Sequence, residues 1–193
     1  MLFRNDRESK RGGGVAIYIR EDLPTEAIDI NDRFSTEAEG VFIDLPKLNL
    51  SVFCIYVPPN LSSNSLRTIR DNIICIIDEH LILHSNRNLM LLGDFNHFDV
   101  HNLSSELSLT DIIDEPTRGP NILDHILISE GLKSNYVSSN VEYECPIGNS
   151  DHLSLIATPI NELHKLNNVR LHTVYDYRST NLQRLLKLSL IHI

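Results

Sequence analysis

Leu89-Met90-Leu91-Leu92-Gly93-Asp94-Phe95-Asn96 is the stretch that decides the architecture. An unbroken apolar run of this length fits a strand buried on both faces, with a layer packed on each side of its sheet. The run ends in Gly93-Asp94-Phe95-Asn96, so the strand delivers a carboxylate and an amide to its end. Residues two apart in extended chain share a face, which would present Asp94 and Asn96 together. A carboxylate can bind a cation or orient water, and an amide can hold an oxyanion. Taken alone, Asp-x-Asn at a strand end is more often an Asx-type turn.

Working outward toward the N-terminus, Leu66, Ile69, Ile73, Ile76, Ile77 and Leu81 recur at helical spacing, and Ser65 is placed to cap that helix. Before it, residues 40–45 and 50–56 alternate as strands, and the short Pro46-Lys47-Leu48-Asn49 connection pairs them as a hairpin. Val57-Pro58-Pro59 ends the second strand, because proline cannot donate to a ladder. The first eleven residues are polar, and Gly12-Gly13-Gly14 opens a further strand from Val15 to Ile19. Toward the C-terminus, strands are expected at Leu123–Ile128 and His152–Thr158. Several antiparallel strands with only one or two helices give an α+β fold or a layered sandwich, not a doubly wound sheet. The texture changes near Asn161, where Leu182, Leu185, Leu186 and Leu190 suggest a short amphipathic helix. One domain over residues 1–160 and a tail over 161–193 follow.

The formal charge of −9 argues against a large non-specific basic groove, whereas an acidic cleft that recruits a divalent cation would fit it. No apolar run is long enough to cross a bilayer, and no secretory segment follows Met1. Cys54, Cys75 and Cys145 make an odd count with no metal-type spacing, and Cys54 and Cys75, within apolar runs, read as buried free thiols in a reducing, intracellular compartment.

Three more groups could carry chemistry. Ser150-Asp151-His152 precedes an apolar strand and offers a metal ligand beside an acid/base or phosphate-binding group, or simply a loop. Asp124, in Asn121-Ile122-Leu123-Asp124, is the candidate partner for His152, since an imidazole needs a group to fix its tautomer and stabilise its cation. Tyr56 ends its strand just ahead of Pro58-Pro59, either as an interfacial aromatic or as a site hydroxyl. His97 and His125 flank the site, and the other histidines show no zinc spacing.

The ordered set, Tyr56-x-Pro58-Pro59, a helix, Gly93-Asp94-x-Asn96, Leu123-Asp124-x-Ile126 and Ser150-Asp151-His152, resembles the endonuclease/exonuclease/phosphatase superfamily. Arg11-Gly12-Gly13-Gly14-Val15-Ala16-Ile17 and Glu115-Pro116-Thr117-Arg118-Gly119 look more narrowly like the apurinic-type endonuclease of non-long-terminal-repeat retrotransposons. The resemblance implies a layered β-sandwich of two mixed sheets flanked by helices, acting on DNA with Mg²⁺ (or Mn²⁺). It implies that Asp151 ligates the metal, that Asp94 activates water and also touches the metal, and that Asn96 holds the phosphate. His152 paired with Asp124 would bind the scissile phosphate or act as acid/base, and Tyr56 would contact the phosphate. It implies no membrane or small-molecule cofactor, and a nuclear location fits a DNA substrate.

Such proteins carry an asparagine strand and a strand ending in a metal-binding glutamate before the glycine-rich strand, and this chain opens after both. None of Glu8, Glu21 and Glu26 stands in that context. The expectation is a domain missing its first strands, a retrotransposon-derived fragment with little or no activity. The other readings are a superfamily phosphatase or phosphodiesterase with different substrate loops, and a non-catalytic remnant that binds DNA or a partner.

Overall fold

The computed structural model describes residues 1–6 and 14–160. The tail with its expected helix, and the basic stretch around Arg7, Lys10 and Arg11, lie outside the described residues. The strand that opened the sequence reading, Asn88–Asp94 (β6), lies inside a six-stranded mixed sheet. In chain order the other members are Glu26–Ile28 (β3), Glu39–Leu45 (β4), Leu50–Tyr56 (β5), Thr110–Asp111 (β7) and Asp124–Ile128 (β8). Their order across the sheet is β3-β4-β5-β6-β8-β7. β4 and β5 pair antiparallel, as their short connection requires. β6 lies parallel to β5, and the helix Ser63–Leu83 (α1) makes the crossover between them.

Side chains alternate across this sheet, and each set has its own core. Phe53, Ile55, Leu89, Leu91 and Leu127 pack with Ile69, Ile73, Ile76 and Ile77 of α1, and with Leu103 of a second helix, Val100–Glu106 (α2). Val52, Cys54, Met90, Leu92, Ile126 and Ile128 pack on the other face with Val15, Ile17 and Val141. Those last residues belong to two antiparallel ribbons. One joins Leu2–Asn5 (β1) to Val15–Tyr18 (β2), and the other joins Val141–Glu144 (β9) to Ser154–Ala157 (β10).

The layering therefore departs from the expected pair of mixed sheets. Among the described residues one mixed sheet faces two separate two-stranded ribbons. Four-residue strands with a single neighbour each cover apolar surface without continuing a ladder. β1 also falls within residues read from sequence as a polar lead-in. Leu2 and Phe3 suffice for a short strand because β2 supplies the partner.

Two local expectations need correction. The cap of α1 is Ser62, whose hydroxyl accepts from the Ser65 N–H at 3.1 Å, so Ser65 sits inside the first turn. Cys75 is exposed, because Ile73, Ile76 and Ile77 take the buried stripe of α1. Cys54 is buried, and burial pushes its thiol up to about 12.

Candidate functional site

The C-terminal end of β6 gathers the titratable groups. Tyr56 on β5 stands opposite Asp94 on β6, and Asp94 stands opposite Asp124 on β8. By alternation from Leu92 and Ile126, both carboxylates face the ribbon side of the sheet. Glu39 continues the row, since it pairs with Tyr56 across β4 and β5 and is buried. No sequence signal marked Glu39, because its place depends on strand register.

Gly93 is what lets β6 reach that row. It has φ +148, and a Cβ there would lie 1.8 Å from the Ile55 carbonyl oxygen. Beyond Asp94 the strand stops: Asn96 has φ 48, so the extended alternation expected of Asp94 and Asn96 does not apply. An Asx turn holds the two together instead, with the Asn96 N–H donating to Asp94 Oδ1 at 3.0 Å. The Asn96 side chain is buried, and its amide donates to the Val57 carbonyl at 2.9 Å. The same side chain also acts on the Asp94 carboxyl and favours its charged form.

His152 arrives from the loop before β10. Its Nδ1 lies 2.7 Å from Asp124 Oδ2, which fixes Nδ1–H as the donor and leaves Nε2 as the working nitrogen. Asp124 is buried and held by Thr117, a wholly buried residue whose hydroxyl oxygen accepts from the Leu123 and Asp124 N–H groups at 3.0 and 3.2 Å. Asp94, Asp124 and His152 each offer a ligand atom within 4.8 Å of the others. Burial foremost, and then the charge of Asp124, hold the Asp94 carboxyl above the usual carboxylate range. Two crowded, partly dehydrated carboxylates beside an imidazole are a donor set whose charge a divalent cation would balance.

Asp151 is not part of that cluster. Its exposed carboxylate is paired with Arg118, whose Nε and a terminal nitrogen approach Oδ2 at 2.8 and 2.5 Å. The Arg118 guanidinium keeps Asp151 below the usual carboxylate range. The pair borders an open cleft together with Asn60, Asn96 and His97. His125 turns to the opposite face, where its Nδ1 meets Asp111 at 2.6 Å and its ring stands edge-on to Phe95.

A profile of the Endonuclease/Exonuclease/phosphatase family matches residues 2–152. The chain belongs to that family. Within the Endonuclease/Exonuclease/phosphatase fold it resembles several solved structures at low identity. The endonuclease domain of TRAS1, a telomere-specific non-LTR retrotransposon, aligns over 84% of this chain and 80% of its own, with a TM-score of 0.62 at 12% identity. The human Nocturnin catalytic domain aligns over 81% and 70%, with a TM-score of 0.56 at 17% identity. A family member from Bacteroides vulgatus aligns over 82% and 75%, with a TM-score of 0.53 at 13% identity. No curated protein matches the sequence. Among the described residues no helix is long and apolar enough to cross a membrane.

Proposed function

We propose that this protein is a divalent-cation-dependent phosphodiesterase that nicks DNA, derived from a retrotransposon endonuclease. The observation that carries the reading is the convergence of Asp94, Asp124 and His152 at the end of β6. The fold likeness to the TRAS1 endonuclease domain supports the choice of substrate. Asp94 and Asp124 would hold Mg²⁺ or Mn²⁺, with His152 beside them and its Nε2 left for the substrate. When bound, the cation supplies positive charge against the phosphoryl oxygens.

The side chains divide the remaining work. Asp94, whose carboxyl burial holds at a raised pKa, orients water and accepts its proton. His152, its tautomer set by Asp124, turns Nε2 to the phosphate or to the leaving oxygen. The Asn96 amide and the Tyr56 hydroxyl bind phosphate oxygens. The test is conversion of supercoiled plasmid to nicked circles in Mg²⁺ or Mn²⁺, lost in Asp94→Asn and His152→Ala. An intact plasmid with the folded wild-type chain would overturn the reading. The engagement of Asp151 by Arg118 favours one alternative, a fold that binds the cation without turnover. That alternative predicts cation-induced stabilisation with the plasmid left intact.

A further inference from the structure

Arg118 and Asp151 meet at the edge of the cleft, and their backbones are held independently of that contact. Residues 118 to 121 form a tight turn, with the N–H groups of Arg118 and Asn121 donating to each other's carbonyls at 3.0 Å. The segment after Asp151 is stapled to the same loop, because the Leu153 N–H donates to the Thr117 carbonyl at 2.8 Å. The ion pair is therefore redundant as a fastening between the two loops. Both guanidinium contacts fall on one carboxylate oxygen, so the planar fork does not engage the carboxylate bidentately. The side chains remain 45% and 68% exposed, and such pairs are worth only about 0.2–1 kcal/mol, so the contact is easily exchanged.

Arg118 is also the single arginine or lysine bordering the cleft among the described residues. Apart from Asp151, the other polar side chains there, Asn60, Asn96, His97 and Asn121, carry no permanent positive charge. A guanidinium matches a phosphate better than a carboxylate, through bidentate geometry and a larger opposing charge.

We propose that Arg118 is a phosphate-binding arm held in reserve by Asp151, whose carboxylate occupies the guanidinium until a phosphate group of the substrate displaces it. The proposal rests on the phosphodiesterase reading for what enters the cleft, and on no hydrolytic step. Displacement leaves Asp151 free beside His152, so substrate binding changes the charge at the site as well as filling it.

Binding is measured on the whole chain in chelator, with a short fluorescent oligothymidylate as one probe and inorganic phosphate as the other. Asp151→Asn should tighten binding roughly two- to fivefold, the worth of an exposed pair. Arg118→Gln should weaken it about tenfold and lower the salt slope for the oligonucleotide by about 0.7, one phosphate contact on a single strand. Arg118→Lys, which keeps the charge and loses the fork, should fall between. In the Arg118→Gln background, Asp151→Asn should no longer tighten binding. The probe that responds identifies the phosphate as one of nucleic acid or of a small ester. Equal tightening by Asp151→Asn in both backgrounds would reduce the effect to general charge removal and overturn the proposal. An Arg118→Gln variant that binds both probes as the parent does would overturn it too. Failure to nick plasmid would leave these affinities unchanged, so the two readings fail separately.

Discussion

Gly93 and Asp94 are adjacent and carry opposite kinds of constraint. At Gly93 any side chain meets the Ile55 backbone, which cannot swing aside. Gly93→Ala should lose more than about 3 kcal/mol in urea unfolding, or fail to fold, through overpacking and an unfavourable φ. Asp94 is the reverse case, a group that costs stability where it stands. Its pKa is raised on folding, so the folded state binds its proton more tightly than the unfolded chain does. That penalty is absent at acid pH and opens as pH rises through the usual carboxylate range toward the folded value. Asp94→Asn should therefore stabilise the chain by roughly 1 kcal/mol at neutral pH in chelator, read as a raised Tm. The same variant should lose the Tm increase that Mn²⁺ gives the parent. A variant less stable than the parent in chelator would contradict the electrostatic account. Asp94, Asn96, Asp124, His152 and Tyr56 were legible in the sequence because each stands at the margin of an apolar run. The roles of Thr117 and Arg118, quoted only within a family-like stretch, and of Glu39 were not, because their partners lie across a loop or a strand register that no local pattern encodes.

At the scale of elements, α1 is anchored at its far end by a buried polar chain. Arg87 pairs with Asp44 at 2.9 Å, and the Ser51 hydroxyl donates to Asp44 at 2.8 Å. His80, near the end of α1, then donates from Nε2 to the Ser51 oxygen at 2.8 Å. Burial foremost, and then the nearby His84, hold the His80 imidazole below its ordinary value, against the pull of Asp44. The unfolded chain therefore takes up a proton near pH 6.5 that the folded chain refuses. This contribution to stability is complete above that pH and declines as pH falls toward the folded value. Tm measured from pH 7.5 down to 5 should fall less steeply in His80→Gln, which keeps a donor for Ser51 and cannot protonate. Parallel curves for the two proteins would argue against it. The long period of α1 made it legible in the sequence. α2, with two buried residues, and β9, with one, are too short to leave a periodic signal.

For the whole molecule, the decisive feature is that the central sheet is covered twice by different means. Helices cover one face, while the other depends on ribbons that contribute few residues each. Ile17, on the first ribbon, is wholly buried against the sheet. Ile17→Ala should cost about 2–5 kcal/mol in global unfolding if the ribbon belongs to the same cooperative unit. A biphasic urea curve would instead mark the ribbon as a separate, weaker layer. The buried central strand and its flanking layers could be read from Leu89–Leu92, but the split of the second layer into ribbons could not. Which short strands pair with each other is settled only by tertiary packing.

Tyr56, Asp94, Asp124 and His152 come from four separated segments, and only the ordering of β5, β6, β8 and the loop before β10 brings them together. Such a cluster has high contact order and almost no local precursor. On refolding, helical signal from α1 should recover early, and a probe of cation occupancy should recover last, in step with the slowest global phase. The site is thus a reporter of completed topology: a chain can collapse, form helix and hide its core, and still register no occupancy until its last strands have found their places.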